Sequence, residues 1–426
     1  MKKLLFISLF ASLLAAGCSK DEGPGGQGPK IPGNEIWYTS FDGEIVEPYS
    51  GVNAVKYPFG DGVEIVSNTY ENGKGIIKFS APVTKIGSYA FRNCHNLTSV
   101  TIPESVTTIG YNPFERCSGL TAFYGKFASD DNRCLIVDGV LNSFVRAGLT
   151  EYAIPDGVTE IGYGAFSDCY GLTSVTIPDS VTTIGRSAFD SCYVLTSVTI
   201  PDNVTTIEEY AFRYCRSLTS ITIPDRVTEI GFYAFQDCSS LKDITIPESV
   251  TTIGDNPFEY CDGLTAFYGK FASEDNRCLI VDGVLKSFAP AGLTEYTIPD
   301  SVTTIGDSAF ISCDALKSIT IPDGVTAIEF GAFYGCSSLT SITIPDSVTK
   351  IENYAFFDCN SLTSVYCRAT TPPALGNDRV FKYYDNDSYK ILENLTAIYV
   401  PRASVEAYKA TQYWSDYADL IEPYDF

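Results

Sequence analysis

Residues 195–217 set out a rhythm that the rest of the chain repeats. Leu195, Val198 and Ile200 are apolar, Ser197 and Thr199 alternate with the last two, and Pro201, which has no N–H, ends the run. Alternation with period two predicts a short strand with one face buried. Val204 and Ile207 form a second apolar pair. Ala211, Phe212 and Cys215 follow at near-helical spacing and predict one short helical turn. The same order begins at Leu97, Leu120, Leu149, Leu172, Leu195, Leu218, Leu241, Leu264, Leu293, Leu316, Leu339, Leu362 and Leu395, mostly at steps of 23 residues.

One such coil cannot fold alone, because its few apolar side chains do not offset the entropy of ordering 23 residues. Stacking hides both open faces and pairs strand with strand. A period of 20–29 residues carrying Leu-x-x-Val-x-Ile predicts a β-rich solenoid of leucine-rich repeat type, with short helical corners. Glycine follows the isoleucine in most coils (Gly110, Gly162, Gly185, Gly231, Gly254, Gly306), which suggests a corner with positive φ. Two coils run to 29 residues and contain Asp138-Gly139 and Asp282-Gly283 between apolar runs, a hairpin signal. Their hairpins are expected to replace the helical corner. Cys117, Cys134 and Cys169 recur as Cys261, Cys278 and Cys313, each 144 residues on, so a whole block is duplicated.

The organisation expected from these patterns has five parts. Residues 1–17 form a signal peptide and 18–33 a lipid-anchored flexible tether. Residues 34–80 form an N-terminal β cap, 81–366 the solenoid, and 367–426 a C-terminal α/β cap in which Val405, Tyr408, Tyr413 and Trp414 cover the last coil. The leader has a basic start at Lys2 and Lys3 and a short apolar run to Ala16. The "LAAGC" that ends in Cys18 resembles the lipobox of bacterial lipoproteins, which would make Cys18 the lipidated N-terminus; the other reading is a plain signal peptide with an incidental cysteine. Ser19-Lys20-Asp21-Glu22 resembles the acidic export signal of surface lipoproteins in Bacteroidetes, or simply starts a soluble tether. Outside the leader no run of 18 apolar residues could cross a membrane, so the only membrane contact expected is the lipid.

Charge narrows the partners. Acids outnumber bases by 52 to 29 and the net charge is −23, which repels nucleic acid and anionic lipid surfaces. Cys94, Cys117, Cys169, Cys192, Cys215, Cys238, Cys261, Cys313, Cys336 and Cys359 share one column and no C-x-x-C pair occurs, so they are read as buried free thiols rather than metal ligands. His95 is the only histidine and sits in a column that accepts many residue types, which argues against a catalytic triad. The acids after each strand proline, such as Asp179, Asp202 and Asp225, form a regular line with no pair set apart. No Gly-rich phosphate loop is present. Neither enzyme activity nor a cofactor or metal is expected.

The unit "IPxxVTxIGxxAFxxCxxLTSVT" resembles the BspA-like leucine-rich repeat of bacterial surface proteins over about residues 83–368, and the "VPxxxVxxYKxxxxWxxY" tail is similar to their C-terminal segments. The resemblance implies a rigid adhesin-like scaffold at the outer membrane, on the cell surface, that binds a host matrix protein or another cell surface. No family binding residue can be carried over, because the motif's columns are structural. Two surfaces of this chain are candidates: an arginine–aromatic patch of Tyr163, Tyr170, Arg186, Tyr193, Arg213, Tyr214, Arg216 and Phe232, and an outward hydroxyl face of Thr176, Thr199 and Thr222. The partner expected is an extracellular protein, with a glycan-binding accessory role in nutrient capture as the alternative, and the chain itself is expected to be a monomer.

Overall fold

A computed structural model describes residues 28–50, 57–146 and 148–426. The signal peptide, Cys18 and most of the tether lie outside the described residues.

The alternation seen in the sequence becomes parallel ladders. Strand Ser197–Thr199 lies beside Ser174–Thr176 with Ser174 opposite Ser197, Val175 opposite Val198 and Thr176 opposite Thr199. The two-residue strand Thr206–Ile207 sits between Thr183–Ile184 and Glu229–Ile230. Leu195, Val198, Ile200, Val204, Ile207, Ala211, Phe212 and Cys215 are all buried, so each coil fills its own interior. Coils meet through like residues: the rings of Phe166, Phe189, Phe212, Phe235 and Phe258 stack at 5.1–5.4 Å. Threonine supports the outside. The hydroxyl of Thr196 donates to the Thr173 carbonyl at 3.0 Å, and that of Thr182 to the Thr159 carbonyl at 3.2 Å.

The corners are not helical. The N–H groups of Ala211, Arg213 and Cys215 donate back to the carbonyls of Glu208, Tyr210 and Phe212, whereas those of Tyr210, Phe212 and Tyr214 donate forward to Phe232, Ala234 and Gln236 of the next coil. A helix would turn every N–H into its own coil. Here alternate amides link two coils, which makes the corner a third ladder. That geometry places Tyr210 and Tyr214 in the left-handed region, at φ 58° and 60°. The glycines after the isoleucine have ordinary φ, contrary to expectation, and serve close approach instead: a Cβ on Gly231 would lie 2.4 Å from the Glu209 nitrogen of the preceding coil.

The hairpins form where Asp-Gly places them. Cys134–Val137 pairs antiparallel with Val140–Phe144 through Asp138 and Gly139, both left-handed at φ 50° and 82°, and Cys278–Val281 pairs with Val284–Phe288 in the same way. They do not replace the corner. Each hairpin enters between the long and short strands, and its second strand takes the short-strand place: Leu141 is opposite Ile161. The corner that follows survives but is three residues shorter, 141 to 149 against 161 to 172. The extra strand ends a ladder, so a seven-stranded sheet runs from Cys134–Val137 to Thr252–Ile253 and a six-stranded one from Cys278–Val281 to Ala374–Leu375. The described core accordingly falls into three clusters that meet at the two hairpin coils.

Both ends are covered. Strands Glu35–Ser40, Ile65–Glu71 and Lys74–Phe79 form an antiparallel sheet that joins the first long strand of the solenoid, Leu97–Ile102. At the other end, helix Val405–Ala410 and the 3-10 segment Trp414–Leu420 bury Tyr408, Trp414 and Tyr417. The Tyr408 hydroxyl and Trp414 indole donate to the carbonyls of Ala369 and Pro373 at 2.9 and 2.7 Å.

Candidate interaction face and joint clefts

Because the corner ladder points alternate side chains outward every 23 residues, like positions of successive coils form rows. One row contains Tyr170 and Tyr193, whose rings stack at 5.4 Å and within 4° of parallel. Arg146 packs on the outer face of Tyr170 at 5.6 Å, and Arg216 on that of Tyr193 at 5.4 Å. Burial, with the hydroxyl's bond to Asp168, pushes the Tyr170 phenol up to about 12. A second row joins Arg186 to Tyr210 at 5.4 Å, and Tyr210 to Phe232 edge-on at 5.6 Å. Arg213 lies between the rows, against Tyr210 and Tyr214.

The arginines of the predicted patch are engaged with carboxylates. Arg213 grips Asp190 through two bonds of 3.0 and 2.6 Å, which raises its pKa further. Arg216 bonds Asp237 at 2.7 Å and Arg186 faces Glu209 at 3.0 Å. The structure brings together seven of the eight predicted patch residues; Tyr163 turns away, packing on Tyr111 at 5.5 Å across the first hairpin coil. On the strand face Thr176 and Thr199 point outward in register, and Thr222 is exposed although its segment is not a regular strand.

A second aromatic cluster escaped the sequence reading. Phe330, Tyr354, Phe357, Tyr389 and Tyr384 form a chain of ring contacts near the C-terminal cap, with Arg379 3.9 Å from the Tyr389 ring. Tyr384 and Tyr389 sit on a protruding hairpin, Lys382–Asp385 with Ser388–Ile391, turned by Asn386 and Asp387 at positive φ. The alternating "KYYDNDSYKI" was the available signal.

The other chemical candidates fall into place as structure. The described cysteines are free and buried, and the Cys215 thiol donates to the Phe189 carbonyl at 3.3 Å, a contact repeated along the column. His95 is exposed, and its ring Nδ1 lies 3.2 Å from the Ser118 hydroxyl. Among the described residues no group of His, Cys, Asp or Glu is arranged to hold a metal, and no helix is long and apolar enough to cross a membrane.

Each shortened corner opens a small polar cleft against its neighbours. The first is lined by Asn112, Glu115, Arg116, Ser143, Arg146 and Ser167, the second by Asn256, Glu259, Tyr260, Lys286, Ser287 and Ser308. Glu115 and Glu259 occupy equivalent places 144 residues apart, and burial raises both above the ordinary carboxylate range. Glu115 has Arg92 at 3.0 Å and Arg116 at 3.7 Å; Glu259 instead takes a hydrogen bond from Gln236.

Comparison with known families decides what this solenoid is. The sequence matches the BspA type leucine-rich repeat region, in six copies, over residues 63–127, 141–265 and 285–401. The chain belongs to the BspA-type leucine-rich repeat family. Solved bacterial leucine-rich repeat proteins are similar to it. A leucine-rich repeat protein from Eubacterium ventriosum is 28% identical over 67% of this chain and 78% of that one, with a TM-score of 0.50. A leucine-rich cell surface protein from Faecalibacterium prausnitzii is 26% identical over 85% and 87%, at 0.48. A leucine-rich repeat protein from Bacteroides ovatus is 23% identical over 90% and 98%, at 0.48. No curated protein matches the chain. Leucine-rich solenoids are typically binding scaffolds, since stacking leaves extended surfaces of varied side chains.

Proposed function

We propose that this BspA-type protein is a surface lipoprotein, anchored through Cys18 at the outer membrane, that binds an extracellular protein along its corner face. The observation that carries the reading is the pair of arginine–tyrosine rows around Tyr170, Tyr193, Arg213 and Arg216. Arginine and tyrosine dominate binding hot spots, and here ion pairs to Asp190 and Asp237 hold the arginines in place before any partner arrives. Such preorganisation lowers the entropy lost on binding. The function is contact, with no covalent step. A solid-phase screen of matrix proteins, mucins and polysaccharides tests it. At least one saturable protein partner is expected, weakened tenfold or more in Tyr193→Ala with Arg216→Ala; silence across the screen would defeat the proposal. Loss of lipid labelling in Cys18→Ser tests the anchor.

Glycan capture is supported by a different surface. Tyr366, Tyr399 and Tyr424 cluster on the outward strand face at 4.8–5.4 Å, in line with Thr343 opposite Tyr366. Trp37 is not a platform, because the Lys74 ammonium lies 2.8 Å above its ring. Polysaccharide binding lost in Tyr424→Ala, with no protein partner found, would favour this reading.

A further inference from the structure

The two joint clefts have the same backbone and opposite electrostatics. In the first, Arg92, Arg116 and Arg146 gather around Glu115 and Asp168. Positions 144 residues on hold Gln236, Tyr260, Pro290, Glu259 and Ser312, so all three arginines are absent from the second cleft while the buried glutamate stays, and Lys286, which lines it, is paired with Asp255. Three guanidinium groups against two carboxylates leave one positive charge in the first cleft, in a chain whose net charge is −23.

That charge has donors to spare. Arg146 gives one N–H to the backbone carbonyl of Asp168, and among the described residues no carboxylate pairs with it. Arg116 is 56% exposed and its nearest carboxylates stand at 3.7 and 3.9 Å, beyond good hydrogen-bond distance. Both line a cavity of about 30 Å³, where by the same measure a water needs roughly 10–15 Å³. A planar carboxylate matches the guanidinium fork, and its single charge balances the single unit left over. The flat ring faces beside the cleft are already used: Tyr170 is held between Arg146 and Tyr193. A pyranose would need such a face to stack on, whereas an extended peptide needs only the phenol edges and the mouth of the cleft.

We propose that the first joint cleft is a receptor for one carboxylate side chain of a peptide segment, held by Arg116 and Arg146. The choice of a peptide rests on the reading of the corner face as a protein-binding surface; the carboxylate site does not. The second cleft, which has none of these arginines and whose Lys286 is paired with Asp255, is an internal control.

The test uses the whole chain and three probes: acetyl-Ser-Gly-Glu-Gly-Ser-amide, its Gln counterpart, and glucuronate, each followed by saturation-transfer NMR. The Glu peptide is expected to give a saturable signal that the Gln peptide lacks. Its dissociation constant should rise at least fivefold in Arg116→Tyr with Arg146→Ala, which removes the two arginines that the second cleft also lacks. Arg116→Tyr alone, at an exposed side chain, serves if the double variant does not fold. Equal signals from the Glu and Gln peptides, or unchanged binding in the variants, would overturn the site. Glucuronate binding more tightly than the Glu peptide would overturn the peptide assignment. A silent cleft alongside a protein partner from the screen would defeat only this inference; a working cleft with no partner would defeat only the larger proposal.

Discussion

Removing one ring from the phenylalanine column measures how coils hold one another. Phe212 is fully buried, 5.2 Å from Phe189 and 5.4 Å from Phe235, and within 5° of parallel to both. Phe212→Ala therefore deletes two ring contacts, each worth about 0.5–1.5 kcal/mol, together with the burial of a whole aromatic side chain. The neighbouring coils are clamped by the corner ladder and cannot collapse into the gap, so the total cost should be about 3–5 kcal/mol. Its reach should be limited, because the core changes cluster at each hairpin coil. The chain's two tryptophans allow that to be seen: Trp37 lies in the N-terminal cap and Trp414 in the C-terminal one. With Trp37→Phe as background, urea unfolding is followed by circular dichroism for the whole solenoid and by Trp414 fluorescence for the last segment. Phe212→Ala should lower the main dichroism transition by the full amount and move the Trp414 transition by less than about 1 kcal/mol, as expected for nearest-neighbour arrays. Adding Phe189→Ala should be non-additive by about 0.5–1.5 kcal/mol. A cost under about 1 kcal/mol would refute close packing of the column, and equal displacement of both transitions would refute the division of the core.

Two further outcomes follow from buried titratable groups. Burial raises the thiols of Cys215, Cys238 and Cys261, and pushes those of Cys134 and Cys278 up to about 12; with Cys18 replaced by Ser, fewer than one thiol per native chain should react with a disulfide reagent at pH 8, and the rest only after denaturation. Fast labelling of the native chain would contradict that burial. Glu259 is raised above its ordinary value by burial, partly offset by hydrogen bonds from Gln236 and Ser308. Its protonated form is fully accommodated below the unfolded pKa, and its cost appears as pH rises through the folded one. Glu259→Gln should therefore raise the melting temperature at pH 7.5 and lose that advantage at pH 4; an advantage that persists at pH 4 would point to another cause.

The strands were legible because burial at Val198 and Ile200 is written directly as alternation. The corner misled, since Ala211, Phe212 and Cys215 are spaced as on a helix while the decisive event, a left-handed tyrosine at 210 and again at 214, carries no glycine to announce it. The Asp-Gly hairpins could be seen, but not where they enter the coil, which depends on Leu141 pairing with Ile161. At the candidate site, composition pointed to Arg213 and Arg216 and said nothing of their carboxylate partners Asp190 and Asp237, each about one coil away in the sequence and brought alongside only by stacking. The joint clefts were invisible for the same reason: they are made by what a shortened corner leaves out.

The hairpin strand that closes each ladder has an evolutionary corollary. A seam whose edge is already sealed can be cut or spliced without baring the interior, so gene copying in units of 144 residues would yield proteins that differ in reach from the cell yet share the same folding rules. Length then becomes heritable in fixed steps, and each added step brings a fresh cleft whose charge is free to diverge, as the two in this chain already have.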